Sequence, residues 1–378
     1  GVNNNMDLNL ARFKVQEAQA ALMSAKGALL PGVSASVQGG TPGTVTGEFD
    51  FSWEADIFGR LRNARKGTAA ALEQSEAYMQ AVQTQLIATI AGSYYSLLML
   101  DQQLSVSLRT LDNWEENIRT MEALKRAGKT NEAAVLQAKS NKLNVEASVL
   151  NLRKQIIDME NSFSTLLGIV PTYISRGRIE DQVFPEELAE GVPVQLLSRR
   201  PDVRQAEQAL IEKFYMTNSA RAAFYPNLSL SGSLGWTNGN GSMVINPAGI
   251  IAGVIGSLVQ PVFAKNANKA RLEAAKAQQE AALYKFRQSI LDAGAEVNEA
   301  LVSWETARER LDIHRKQVIH LQAAVWNIKL LMKHGAASYL EVLTAQQNLL
   351  QAELNEVTDR YEEIQGVISL YHALGGGY

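Results

Sequence analysis

Residues 48–60 read EFDFSWEADIFGR and pass from one periodicity to another. Phe49, Phe51 and Trp53 alternate with acidic or small polar residues, which is the period-2 pattern of a strand with one apolar and one polar face. After this strand, no proline occurs before residue 171. Because proline breaks helix interiors, the stretch is free to form one very long helix, predicted at about 58–126. Such a helix of about 70 residues is about 100 Å long.

The chain contains an internal duplication. Residues 135–138 (VLQA) match residues 342–345 (VLTA) at an offset of 207, and Gly128 matches Gly335 at the same offset. A unit of roughly 170 to 200 residues is much longer than the repeats of solenoid proteins. We therefore predict a first structural repeat at 1–170, an inter-repeat linker at 171–201 and a second repeat at 202–378.

Both repeats predict the same order of elements: a helix, a β-hairpin, a very long helix and a shorter return helix. The helix-to-strand junctions, Leu30-Pro31 and Tyr225-Pro226, are related by an offset of 195. We predict a mixed, mainly α fold. Its elements are helices at about 5–29, 58–126 and 131–168 around a hairpin at 32–54, and helices at about 202–225, 264–333 and 338–373 around a hairpin at 227–262.

The return helices carry the heptad spacing of an antiparallel coiled coil. In the first repeat, four apolar residues recur every seven positions, and they map onto four apolar residues of the second. The two sets are Leu136, Leu143, Leu150 and Ile157, and Leu343, Leu350, Val357 and Ile364. A soluble helical scaffold or interaction protein has the same spacing, so this pattern leaves that alternative open.

The hairpins place aromatic residues on the apolar face and small or acidic residues on the polar face. This arrangement is typical of a lipid-facing barrel with a wet lumen, although a soluble sheet with one buried face shows the same alternation. The fourth strand, around Ile250 to Val262, is apolar on both faces. Membrane barrels have at least about eight strands. If these four strands cross a bilayer, several chains must therefore share one barrel.

Composition excludes several classes of function. With 36 basic and 39 acidic residues, the chain lacks the charge footprint of a nucleic-acid-binding protein. It has no cysteine and only four scattered histidines, so we expect no metal site and no cofactor. No catalytic motif occurs, and we expect no enzymatic activity. No run of about 18 apolar residues occurs, so we expect no transmembrane helix.

Four segments resemble the TolC-type outer-membrane factors, especially the subfamily that serves RND multidrug efflux pumps. They follow one another in the family's order within the duplicated plan, which makes the resemblance specific. The segments are Trp53 to Arg62, Leu197 to Val203, Ala220 to Leu230, and Leu370 to Tyr378.

The resemblance implies a homotrimer in the bacterial outer membrane. Four strands from each protomer would form a shared 12-stranded β-barrel, and the long helices would form an α-barrel through the periplasm. The trimer would be the passive duct of a tripartite efflux system, carrying drugs or other small molecules from an inner-membrane pump and a periplasmic adaptor. Relatives usually have more sequence before the segment that starts here at Asn3, so we expect an export signal upstream. The sequence leaves a lipid anchor undecided.

The resemblance also implies functional residues. The two helical turns, at Ala127, Gly128 and Lys129 and at His334, Gly335 and Ala336, would contact the adaptor. Glu341 would form an acidic ring at the narrow end of the channel, where Thr344 occupies a second position that is acidic in some members. On the polar strand face, Glu48, Asp50 and Glu54 would give the barrel lumen an acidic end.

Overall fold

The computed structural model describes residues 4–40, 44–182, 199–237, 250–259 and 266–376. Every predicted helix and strand occurs, and the fold is mainly helical with four antiparallel strands. The elements are α1 (Met6–Gly27), β1 (Gly32–Gly40), β2 (Thr44–Ala55), α2 (Arg60–Arg126), α3 (Glu132–Leu167), a 3-10 turn (Ile179–Asp181), α4 (Pro201–Ala222), β3 (Asn227–Thr237), β4 (Ile250–Val259), α5 (Ala267–Lys333) and α6 (Tyr339–Ala373).

Some of the predicted segments fall outside the described residues. These are residues 1–3 of the first repeat, residues 41–43 of the first hairpin, residues 183–198 of the linker, residues 238–249 and 260–262 of the second hairpin, residues 263–265 and the last two residues of the chain. Of the helices that the structure describes, none combines the length and the apolar character that a membrane crossing requires.

Two compact units make up the chain. One comprises Gly1–Asn9, Val82–Arg200 and Asp292–Tyr378, and the other comprises Leu10–Ala81 and Pro201–Leu291. The domain boundaries predicted at residues 170 and 201 are based on the sequence repeat, whereas the two units are defined by how compactly their residues pack. They remain a prediction.

One unit contains the sheet, whose strands lie in the order β1-β2-β3-β4 with every neighbour antiparallel. Phe49 lies opposite Leu234 and Trp53 opposite Leu230, so the apolar side chains of β2 and β3 share one face. Phe49 is 51% exposed and Val33 of β1 is 73% exposed. Within the described chain this apolar face is therefore largely open.

The junction between β2 and α2 explains why the sequence changes its periodicity there. Gly59 adopts a left-handed conformation, with φ of 77°, and turns the chain from strand into helix. Asp56 then caps the new helix, because its carboxylate accepts hydrogen bonds from the backbone N–H groups of Leu61 (2.9 Å) and Arg62 (2.7 Å). In the second repeat, Asn266 lies 207 positions later and is likewise left-handed, with φ of 62°. Asparagine tolerates this conformation better than most residues.

In the other unit, the two return helices end in related contacts. The Asn5 side chain donates a hydrogen bond to the carbonyl oxygen of Leu166 at 2.9 Å, and Arg200 donates to that of Ala373 at 2.5 Å. The donors are 195 positions apart and the acceptors 207, which are the two offsets of the sequence repeat. The residue just before the first helix of each repeat thus satisfies a carbonyl at the end of the corresponding return helix.

Candidate functional site

The first helical turn joins α2 to α3. Lys129 N–H donates to the carbonyl of Leu124 and Gly128 N–H to that of Lys125, at 2.9 and 3.0 Å. This is a Schellman motif, which requires a left-handed residue, and Gly128 has φ of 68°. A Cβ atom added at Gly128 would meet nothing within 4 Å. Glycine is therefore needed here for its backbone conformation, and Ala127, Gly128 and Lys129 are all exposed.

The second turn, between α5 and α6, repeats this geometry. Ala336 N–H donates to the carbonyl of Leu331 at 2.9 Å, and Gly335 has φ of 75°. His334, Gly335 and Ala336 are exposed, and open space surrounds a Cβ built at Gly335. We call these two turns the tips. The residues of both tips are exposed within the described chain.

Both tips border one hydrophobic core, which α2, α3 and α6 build with flanking residues from α5. Its buried residues are Trp114, Met121, Val135, Ala138, Val145, Tyr339, Val342 and Leu343. Within it, the Asn117 side chain donates to Gln346 Oε1 at 2.8 Å, a buried contact between α2 and α6. The two predicted tips therefore lie beside the same hydrophobic core.

Glu341 is the third residue of α6 and takes part in a capping box. Ser338 Oγ donates to Glu341 Oε1 at 2.9 Å, while the backbone N–H of Glu341 donates to Ser338 Oγ at 3.4 Å. The negative charge is also favoured at the positive end of the helix dipole. The spacing Ser338-x-x-Glu341 is the sequence signature of this cap, and the channel interpretation of Glu341 overlooked it. Glu341 and Thr344 are both exposed on α6.

A second feature that sequence reasoning missed is Tyr339, the first residue of α6. Its side chain is 8% exposed, and burial raises the pKa of its hydroxyl to about 12. Among the described residues, that hydroxyl has no hydrogen-bond partner. A buried hydroxyl without a hydrogen-bond partner lowers the stability of the fold, because it gives up its hydrogen bonds to water and gains none in return.

The predicted lumen acids lie together on the polar face of β2. Glu48 lies opposite Gly235 and Asp50 opposite Ser233, so small residues surround both carboxylates. Glu54 differs, because it forms a bidentate ion pair with Arg60 at 3.1 and 2.6 Å. Its charge is therefore largely neutralised at the base of the strand. Among the residues that the structure describes, Glu48 and Asp50 form no such ion pair, and they carry the remaining negative charge of this face.

The chain is similar to known proteins over almost its whole length. The family model for outer membrane efflux proteins matches residues 2–169 and 192–376. The chain is 28% identical over 385 residues to the cation efflux system protein CusC of Escherichia coli, covering 99% of this chain and 84% of CusC. It is 29% identical over 400 residues to the pyoverdine export outer membrane protein OpmQ of Pseudomonas putida, with coverage of 100% and 84%.

Solved structures agree with the sequence matches. The fold superposes on the outer-membrane channel OprN with a TM-score of 0.93 and 29% identity, over 100% of this chain and 88% of OprN. The match covers the sheet as well as the helices. It therefore favours a trimeric channel over a soluble helical scaffold, the alternative that the heptad pattern of the helices did not exclude. The chain belongs to the outer membrane efflux protein family, whose members are the outer-membrane channels of tripartite efflux systems.

Proposed function

We propose that this chain forms a passive duct that receives small molecules from an inner-membrane pump and a periplasmic adaptor. Relatives of almost equal identity serve different cargoes by name, cations for CusC and pyoverdine for OpmQ. Because related channels of similar sequence carry such different molecules, the shared fold does not by itself specify the cargo. The partner pump therefore supplies both the energy and the choice of substrate.

The observation that carries the proposal is the pair of exposed tips. Both turns contain a left-handed glycine with open space around it, and both border one hydrophobic core. A partner helix can approach the backbone closely at Gly128 and Gly335, because glycine has no side chain there. We infer that the adaptor contacts Ala127, Gly128 and Lys129 on one tip and His334, Gly335 and Ala336 on the other.

An arginine scan of the second tip tests this proposal. Gly335→Arg would also strain the turn, since arginine disfavours positive φ, so Ala336→Arg is the cleaner change. We expect cells carrying Ala336→Arg, together with the partner pump and adaptor, to lose efflux of a fluorescent dye while the trimer persists. Asn144→Arg is the matched control, because Asn144 is exposed on α3 about three turns from the first tip. Unchanged efflux with Ala336→Arg would show that the tip is only a turn.

Two sets of carboxylates would shape conduction through the duct. Three copies of Glu341 would form an acidic constriction, to which Thr344 adds no charge. Glu48 and Asp50 would make the lumen of the barrel acidic, whereas Glu54 contributes little because Arg60 neutralises it. Rings of carboxylates favour cations in other channels. This duct should therefore conduct cations better than anions.

A further inference from the structure

A cavity of about 840 Å³ lies between α2 and α5 in the unit that contains both return helices, with α6 as its third wall. We call it the α2–α5 cavity. Small polar side chains line much of it: Thr89 and Ser93 on α2, Ser303 and Thr306 on α5, and Gln365 and Ser369 on α6. Its volume lies in the range of sites for small molecules, about 300–1,000 Å³. Neither the tips nor the predicted gate uses it.

The two long helices line this cavity with repeat-equivalent residues. The residues of α2 are Thr89, Gly92, Ser93 and Ser96, and those 207 positions later on α5 are Glu296, Glu299, Ala300 and Ser303. Both repeats thus turn the same face of their long helix toward one space. In a ring built from repeated units, equivalent faces share one direction, either inward or outward. The α2–α5 cavity therefore belongs to one side of the channel wall.

The linker between the repeats lies on the other side of α2. Ile179 packs with Leu98, and the backbone N–H of Gly177 donates to the Tyr94 hydroxyl at 3.3 Å. Tyr94 and Leu98 follow Thr89 by five and nine residues, hence by about 140° and 180° around the helix. Three copies of this linker inside a trimeric duct would obstruct it, so the linker side is the outside. The cavity then opens to the lumen.

Three carboxylates line the cavity, and they differ in how their charge is compensated. Glu296 pairs with Arg200 at 2.5 Å, and Glu362 pairs with Arg310 at 2.9 Å. Glu299 is exposed and forms no ion pair among the residues that the structure describes. The cavity therefore carries a negative charge at Glu299 that no cation of the described chain neutralises. Such a charge favours a positively charged ligand.

The remaining lining decides which kind of cation fits. Apolar groups make up much of it, from Ala88, Met159, Ala300, Ala307, Tyr361 and Ile368. Within the described parts of the chain, no group of three or more His, Asp and Glu side chains is arranged to hold a metal ion. A hydrated inorganic ion gains nothing from apolar walls, whereas an organic cation buries its hydrocarbon body there. The ring of Tyr361 adds a face that attracts positive charge.

We propose that the α2–α5 cavity is a binding niche for organic cations in the wall of the lumen, one in each protomer. The Glu299 carboxylate pairs with the positive charge of the ligand, and the apolar walls hold its body. Gln365 offers an acceptor once its side chain turns toward the ligand, because its Oε1 is buried without a hydrogen-bond partner among the described residues. This proposal rests on the duct function and names one class of cargo that pauses on its way. Since conduction requires release, binding should be weak.

Titration of the purified trimer with ethidium, a flat organic cation, tests the niche by fluorescence. We expect saturable binding of ethidium and none of the anionic dye fluorescein. Glu299→Gln keeps the shape of the side chain and removes its charge, so it should weaken ethidium binding about tenfold. Glu305→Gln is the matched control and should bind as the native protein does, since Glu305 is exposed and lies about 240° around α5 from Glu299. No saturable binding, or equal affinities of Glu299→Gln and Glu305→Gln, would overturn the proposal.

Filling the cavity gives a second measurement. Ser303 is exposed on its wall, so Ser303→Phe places a ring in the space without changing a charge, and it should abolish ethidium binding while the trimer persists. Ethidium that binds Ser303→Phe as tightly as the native trimer would lie elsewhere, and the niche would be wrong. These titrations need neither pump nor adaptor. Ala336→Arg should therefore lose efflux and still bind ethidium, so the niche and the duct function can fail independently.

Discussion

Replacing Glu341 separates two roles that its carboxylate combines. In the protomer it accepts a hydrogen bond from Ser338 Oγ at 2.9 Å and completes the cap of α6. In the proposed trimer it also supplies one of three negative charges at the constriction. Glu341→Gln keeps an oxygen for Ser338 and removes the charge, whereas Glu341→Ala removes both. The two variants therefore differ in the cap and agree in the charge.

The size of each effect follows from the geometry. Losing a helix cap costs about 1 kcal/mol, which makes opening of the first turn of α6 about fivefold more frequent. This increase should appear in Glu341→Ala and be much smaller in Glu341→Gln. A divalent cation about 6 Å from three carboxylates gains about 4 kcal/mol in water, and physiological salt removes roughly half. Loss of the ring should thus weaken block by divalent ions by at most about thirtyfold.

Two assays read the roles separately. Hydrogen exchange of the amides after Ser338 reports the cap, and conductance in a planar bilayer with added divalent or trivalent ions reports the ring. We expect Glu341→Gln to lose cation preference and metal block while its exchange stays near native. Block curves for Glu341→Gln that coincide with those of the native protein would refute the gate. Altered block in Glu341→Ala alone would mean that the cap, and not the charge, shapes the narrow end.

Two further predictions concern buried side chains of α6. Asp359 has no exposed side-chain surface; it forms an ion pair with Arg310 and a hydrogen bond with the His314 ring, so Asp359→Asn should lower trimer stability toward denaturant by about 2–3 kcal/mol. This lies below the range for fully buried pairs, because Arg310 is 45% exposed and reaches water. Glu362→Gln, at an exposed partner of Arg310, is the control and should cost less than about 1 kcal/mol; equal losses would deny Asp359 a special role. Tyr339→Phe removes a buried hydroxyl without a partner among the described residues, so stability in the same assay should stay equal or rise by about 1 kcal/mol. A clear loss would reveal an acceptor for that hydroxyl.

Local chemistry made most of the fold predictable. Long proline-free stretches gave α2 and α5 to within a few residues, because a helix interior excludes proline. Glycine at positions 128 and 335 marked the turns, and both residues adopt the left-handed backbone that a Schellman motif requires. The alternation in residues 48–54 gave β2, because successive side chains of a strand point to opposite faces.

The side-chain partners within the site were less predictable, because they depend on tertiary contacts. The polar face of β2 groups Glu54 with Glu48 and Asp50, but Arg60 lies six positions later, across the turn at Gly59, and neutralises only Glu54. The heptads of α3 and α6 are equivalent in sequence, yet burial separates them, since periodicity shows which face is apolar and not what covers it. The role of Glu341 in the cap was visible in the sequence through Ser338, three positions earlier.

Divergence between the two repeats explains why the core beside the tips is built mainly by α2 and α6 and not equally by their repeat equivalents. The contact between α2 and α6 buries Trp114 and a hydrogen bond from Asn117 to Gln346. The offset of 207 puts Leu321 and Ala324 of α5 at the positions of Trp114 and Asn117, and Lys139 of α3 at the position of Gln346. A buried tryptophan contributes more apolar area than leucine, and an amide pair adds directional specificity. Because alanine and lysine cannot form that amide hydrogen bond, the two repeats share their order of elements but not their core contacts.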